Sequence, residues 1–198
     1  RSEMLVHQWA ESYRGDPVKY GVALEAMRGC VFLDCSDALP ALFNSEVETQ
    51  GIYPPFQNTV VQFVHLGHPI LVFVLQGEEE EFLVFMAVKF PDTGWETAEA
   101  VRWAKNSKGV WAAFTRQPGV GIGLFGDRAA DSDPERLEAT VRNAGVAWNV
   151  FAIMACSNVR TRDHQPDAAL NKKRAKAGKV PLVSYKTLEI VVPNTRYE

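Results

Sequence analysis

Cysteine is scarce: Cys30, Cys35 and Cys156 are the only three in 198 residues. An odd, small number in a chain long enough to bury a sizeable core excludes a disulfide framework and predicts reduced thiols acting as small buried hydrophobes. No apolar run approaches the roughly 18 to 20 residues needed to cross a bilayer. The first residues also lack a charged-then-apolar signal pattern. The expectation is a cytoplasmic protein without a membrane partner. Strong net charge is missing as well. A formal charge of -3 offers no long-range field for a polyanion, so any nucleic-acid binding must come from a local patch. With 46% hydrophobic and 23% charged residues the chain is far from the disordered regime. No internal repeat or low-complexity stretch is visible, and one domain over 1–198 is expected.

Catalytic signatures are equally sparse. Gly121, Gly123 and Gly126 match the spacing of a dinucleotide fingerprint. They are followed by the polar stretch Asp127 to Ser132 instead of a helix, so a glycine-rich strand is the preferred reading. His65 and His68 form H-x-x-H without a supporting Cys or His pair, and Cys30 and Cys35 are too far apart for a C-x-x-C site. The run Glu78 to Glu81 reads as a solvated turn tip rather than a cation site. Asp34, Cys35 and Ser36 sit in no nucleophile-elbow or papain-like context. No catalytic residue, metal site or cofactor is therefore assigned.

What is present is a pattern of strands and helices. Leu5, Trp9 and Tyr13 recur at helical spacing, with Ser2 as an N-cap, and the Gly15-Asp16-Pro17 turn ends that helix. Val22, Ala23 and Ala26 predict a second short helix, and Cys30 to Cys35 a brief strand. The segment 37–55 reads as a loop closed by Pro54 and Pro55. Thr59 to His65, Ile70 to Gln76 and Phe82 to Phe90 predict an antiparallel meander, because the turns between them are too short for a crossover. In the middle run, Leu71, Phe73 and Leu75 face one way and Ile70, Val72 and Val74 the other, which predicts a central strand covered on both sides. Thr97, Ala100, Val101 and Ala104 predict a helix within Trp95 to Lys108, and Val110 to Thr115 with Val120 to Phe125 a hairpin. Asp133-Pro134 opens an expected long helix running to Cys156, apolar nearly all round from Ala144, with Trp148, Phe151 and Ile153 in the core. Leu182 to Val192 predicts a closing strand. The fold class is α+β: a central antiparallel sheet of about six strands packed on a long buried C-terminal helix and shorter N-terminal helices.

The most unusual local feature is a basic connecting segment at 160–180. Between Asn171 and Lys179 stand Lys172, Lys173, Arg174, Lys176 and Lys179, with Arg160 and Arg162 upstream. Such a patch contacts phosphates without reading sequence. A solvated helix of lysines capped by Gly178, or a grip on an acidic protein surface, is the competing reading. The order of an apolar helix ending in Cys156-Ser157-Asn158-Val159, the basic stretch 170–182 and the strand 184–192 resembles the C-terminal part of proteins encoded by tailed phages and prophages. The resemblance covers the last quarter of the chain. It implies a viral product acting in a bacterial cytoplasm and carries no activity with it.

Three functions follow as expectations. The first is a non-enzymatic phage-type accessory protein that binds nucleic acid or a nucleoprotein complex through Lys172, Lys173, Arg174, Lys176, Lys179, Arg160 and Arg162. The second is a protein-docking factor, for example an inhibitor of a host defence complex, with Trp95 and Trp103 as anchors. The third is a metal-dependent hydrolase or nuclease using His65, His68 and neighbouring carboxylates.

Overall fold

A computed structural model describes residues 4–35, 52–77, 81–97, 101–105, 111–114, 145–157 and 159–190. The chain opens with helix α1 (Leu5–Ser12) and helix α2 (Pro17–Met27). Ser2 lies outside the described residues. The N-cap of α1 is Met4, which makes no side-chain cap bond, and the Leu5 N–H instead donates to Oε1 of the buried Gln62 at 3.1 Å. Asp16 does more than end a helix. Its carboxylate accepts from the Val18 and Lys19 amides, and Pro17 occupies the first turn of α2, where a missing N–H costs nothing.

Among the described residues nine strands form a single sheet: β1 (Val31–Asp34), β2 (Asn58–His65), β3 (His68–Gln76), β4 (Phe82–Phe90), β5 (Gly94–Thr97), β6 (Val101–Lys105), β7 (Trp111–Phe114), β8 (Val159–His164) and β9 (Tyr185–Ile190). Their order is β7-β6-β4-β3-β2-β1-β9-β8, with β5 paired to β4 off this path. The meander β2-β3-β4 is antiparallel, as its tight connections require.

Several expectations need correction. The sheet is mixed, not antiparallel, because β1 pairs in parallel with both β2 and β9. A parallel partner needs a long return connection, and both pairs have one in sequence. The sheet also has more strands than expected. Residues 94–97 and 101–105 are strands and not a helix: Trp95 and Thr97 align with Lys89 and Ala87 of β4, and Trp103 with Phe82. Alternation of buried Val101 and Trp103 with Arg102, which pairs with Glu81 at 3.2 Å, is the strand period that the alanine spacing concealed. The long buried C-terminal helix is not seen among the described residues either. The described helix, α3, covers 145–154, and 133–144 lie outside the described residues. Its end tightens as the Cys156 N–H bonds to the Ile153 carbonyl, and the chain then turns into β8. The hairpin partner at 120–125 and the glycines at 121–126 also lie outside the described residues, as do 36–51 and 78–80.

The two faces of β3 divide the core as its sequence predicts. Ile70, Val72 and Val74 pack with Leu33, Phe63, Val84 and Trp103 beneath α3, which contributes Val146, Trp148, Val150 and Phe151. Trp148 and Trp103 stack at 4.3 Å with 19° between their planes, and Ile153 is half-buried against the same cluster. Leu71 and Phe73 pack on the other face with Trp9, Ala10, Ala23 and Met27 from α1 and α2. Phe73 is fully buried, stacked on Phe85 at 4.4 Å and touching Trp9 at 4.7 Å. Burial of one such side chain stabilises by about 1.5–3 kcal/mol. Thr97 ties β5 to this layer, accepting from Trp9 Nε1 at 3.2 Å and hydrogen-bonding the Tyr13 hydroxyl at 2.8 Å. Among the described residues no helix is long and apolar enough to cross a membrane.

Candidate polyanion-binding helix

The basic segment is not one uniform stretch. Its first part is β8, the edge strand, paired antiparallel with β9 from Val159↔Ile190 to His164↔Tyr185. Charged side chains suit an edge, since they discourage pairing with another chain. Its second part is helix α4 (Ala168–Lys176), which has no buried residue. Both ends of α4 have specific local chemistry. Asp167 accepts from the Ala169 amide at 2.7 Å and the Leu170 amide at 3.2 Å. At the other end Gly178 takes φ +62°, its N–H bonds to the Ala175 carbonyl at 3.0 Å, and the Lys179 N–H bonds to the Arg174 carbonyl at 2.9 Å. That pair of bonds is a Schellman motif, which requires a left-handed residue where glycine stands. Lys173, Arg174 and Lys176 in the last turn oppose the negative end of the helix dipole.

Polar contacts, not apolar packing, hold α4 in place. Asn171 clamps the following strap in both directions: its Nδ2 donates to the Leu182 carbonyl at 2.9 Å, and its Oδ1 accepts from the Leu182 amide at 2.7 Å. Arg174 Nε donates to the Val180 carbonyl at 2.8 Å. The strap in turn is fastened to α1. His7 Nε2 accepts from the Val183 amide at 3.0 Å, Glu11 Oε1 accepts from the Val180 amide at 2.9 Å, and the Arg14 guanidinium donates to the Gly178 carbonyl. His7 and Glu11 are one turn apart on the same face of α1, and Arg14 stands just past its C-cap Tyr13, so α1 and the turn that ends it make all three contacts. Val180 is buried in the α1–α2 layer and completes the anchor.

This arrangement sorts the seven cationic residues singled out by sequence. Lys172, Lys173, Lys176 and Lys179 are exposed, and none of their ammonium groups has a hydrogen bond or ion pair among the described residues. Asn171 and Arg174 mark the inward side of α4, so Lys172, Lys173 and Lys176 share the outward side. Arg174 is half-buried and committed to Val180. Arg162, on β8, pairs with Glu189 at 2.8 Å. Arg160 is exposed, but it lies four residues before the end of β8, about 13 Å along the strand from the point where the chain leaves for α4. The structure thus groups four of the seven.

The other candidates fare differently. His65 and His68 face each other across the β2–β3 hairpin; His68 Nδ1 is 3.3 Å from the Lys89 carbonyl, and its ring lies 5.3 Å from that of Phe90. No cluster of three or more metal-ligating side chains forms among the described residues. Trp95 and Trp103 are not surface anchors: Trp103 is buried against Trp148, and Trp95 packs on the α1–α2 layer. Cys35 is buried and Cys30 half-buried, with both thiols pushed up to about 12 by burial; at Cys35 the Asp34 charge adds to this. Cys156 is exposed, against the expectation that all three thiols are buried. Sequence reasoning missed the anchors His7, Glu11, Arg14 and Asn171. For α4 itself the signal was available: Asp167 before Ala168-Ala169-Leu170 is a start, and Gly178 after the lysines is a stop.

Comparison of the chain with known protein families, characterised proteins and solved structures finds no match in any of the three.

Proposed function

We propose that this protein binds nucleic acid through the outward side of α4, without catalysis, using Lys172, Lys173, Lys176 and Lys179 to contact phosphates. The observation that carries the reading is that four ammonium groups without partners among the described residues stand on one helix and its cap, in a segment held on one side by the pairing of β8 with β9 and on the other by the strap at 180–183. A fixed array loses less conformational freedom on meeting a phosphate chain than a trailing tail does. The net charge of -3 makes the attraction local, so orientation and not overall field brings the partner to this face. The C-terminal resemblance to tailed-phage proteins is what supports a phage-type accessory role in a bacterial cytoplasm.

The test is a fluorescence-anisotropy titration of labelled DNA at about 50 mM salt, where phosphate contacts are strongest. Replacing all four lysines by alanine should weaken binding at least tenfold. Arg162→Ala should weaken it less, because that guanidinium stands on β8 and not on the lysine side of α4, and is shared with Glu189. Absence of binding by the native chain, or equal binding by the fourfold variant, overturns the proposal.

A further inference from the structure

Resting on that reading, we infer that the partner is duplex DNA, taken by α4 without preference for sequence. The residue types on each side of the helix carry the argument. Sequence in a DNA groove is read chiefly by Arg or Lys on guanine and by Asn or Gln on adenine, and of these the Arg fork and the side-chain amides have a fixed planar geometry, whereas Lys is a point charge on a flexible stem. The only Arg and the only Asn in α4 are Arg174 and Asn171, and these are the two side chains turned inward onto Val180 and Leu182. The outward side offers lysine and alanine, with Leu170, 46% exposed, one turn before Lys173. It supplies charge for phosphates and has no planar group for bases.

Proteins that hold single strands place aromatic rings along a basic groove, so that successive bases stack on them. No Phe, Trp or Tyr occurs from Gln165 to Ser184. The rings that flank this segment, His164 and Tyr185, are stacked on each other at 4.5 Å with 10° between planes, and His164 Nε2 is tied to the Thr187 hydroxyl at 3.0 Å. The lysine face therefore has no platform on which an unpaired base gains much.

Shape points the same way. Ala168, Ala169, Ala175 and Ala177 are exposed around the lysines and keep that side of α4 slim. An α-helix about 10–12 Å across fits the B-form major groove, about 12 Å wide, and does not fit the deep, narrow major groove of double-stranded RNA. Lys172 and Lys173 stand about 100° apart around the axis, and Lys176 is one turn beyond Lys172, so the set can reach phosphates on both walls of a groove. Asp167 closes the other end of the helix. It occupies the first-turn amides that otherwise attract a phosphate and places a negative charge there, which directs the contact to the C-terminal half.

The experiment uses the full chain and three kinds of labelled probe of equal length: duplex DNA in AT-rich and GC-rich versions, single-stranded DNA, and double-stranded RNA. Each is titrated between about 50 and 200 mM salt. The two duplex DNAs should bind within about twofold of each other, and the other probes at least tenfold more weakly. Four phosphate contacts predict a log–log salt slope near -3.6, or about a 150-fold loss across that range, and each single Lys→Ala change should reduce the slope by about 0.9. Single-stranded DNA or RNA binding as tightly as duplex DNA overturns the inference while leaving nucleic-acid binding intact. A preference above tenfold for one duplex sequence overturns it too. Failure of every probe to bind overturns instead the reading on which it rests.

Discussion

Asn171→Ala isolates the clamp that fixes α4, because it removes two hydrogen bonds and no charge. Both bonds go to Leu182, at 2.9 Å and 2.7 Å, and both are partly buried. At about 1 kcal/mol each their loss costs about 2 kcal/mol. Alanine is a better helix former than asparagine by about 0.6 kcal/mol, which offsets part of that loss. The net, about 1.4 kcal/mol, is a factor of about ten in the opening equilibrium of the strap. Native-state amide exchange measured by NMR reads this directly: the Leu182 amide, which donates to the Asn171 Oδ1 that alanine lacks, should lose at least about tenfold of its protection. The Val180 and Val183 amides should change less, since Glu11 and His7 hold them from α1. Helical circular dichroism should not fall. If α4 must present its lysines from a fixed place, affinity for duplex DNA drops by up to the same tenfold with an unchanged salt slope. A Leu182 amide that keeps its native protection refutes the clamp, and unchanged affinity alongside lost protection refutes the need for a fixed array.

Leu66→Asn should stabilise the protein. Leu66 is 84% exposed at φ 50°, in a two-residue hairpin turn with Gly67 at φ 80°, where asparagine avoids most of a roughly 1 kcal/mol strain. A Tm raised by about 2–4 °C is expected, and a lowered Tm contradicts the turn assignment. Gly178→Ala should lower Tm by a similar amount, about 2–4 °C, from about 1 kcal/mol for a left-handed alanine. The added Cβ would also lie 3.3 Å from the Arg14 guanidinium, a flexible end that can move. No change in the melt would mean that the Schellman turn is not formed. A maleimide at about pH 8 should modify Cys156 alone among the three thiols of the native chain. Cys30 and Cys35, held up near 12, carry almost no thiolate there, and all three should react in denaturant. Fast labelling of two or three thiols in mass spectra of the native protein contradicts the burial.

The strands that alternate or run apolar over several residues are legible in the amino-acid sequence. β2, β3 and β4 fall where period-2 apolar runs and tight turns place them, and the double-sided β3 announces both core layers. The misreadings share a physical cause. β5 and β6 are four and five residues long, too short for period to separate strand from helix, and the contact that decides is tertiary, Trp103 stacked on Trp148. β8 is nearly all charged and polar, because an edge strand open to solvent has little need of an apolar face. The parallel pairing of β1 depends on which strand meets it across the long connection from Asp34 to Asn58, and local pattern carries no such information.

The same limit governs the candidate site. Counting cations along the chain treats Arg174 and Lys172 alike, yet one is consumed inside the fold and the other points to solvent. The difference is set by partners far away in sequence: α1 holds the strap through contacts spanning 169 and 176 positions. Those contacts place Val180 where Arg174 reaches its carbonyl and Leu182 where Asn171 reaches both of its backbone groups. The fold thereby takes from the surface of α4 its two planar hydrogen-bonding side chains, Arg174 and Asn171, and leaves lysine, a flexible point charge. On the proposed reading, anchoring turns a basic segment open to any phosphate-bearing or acidic partner into a surface suited to a regular phosphate backbone. Moving an arginine to the outward side, as in Lys173→Arg, should therefore add sequence preference without changing the salt slope. If duplexes of different sequence still bind equally to that variant, the face does not enter the groove.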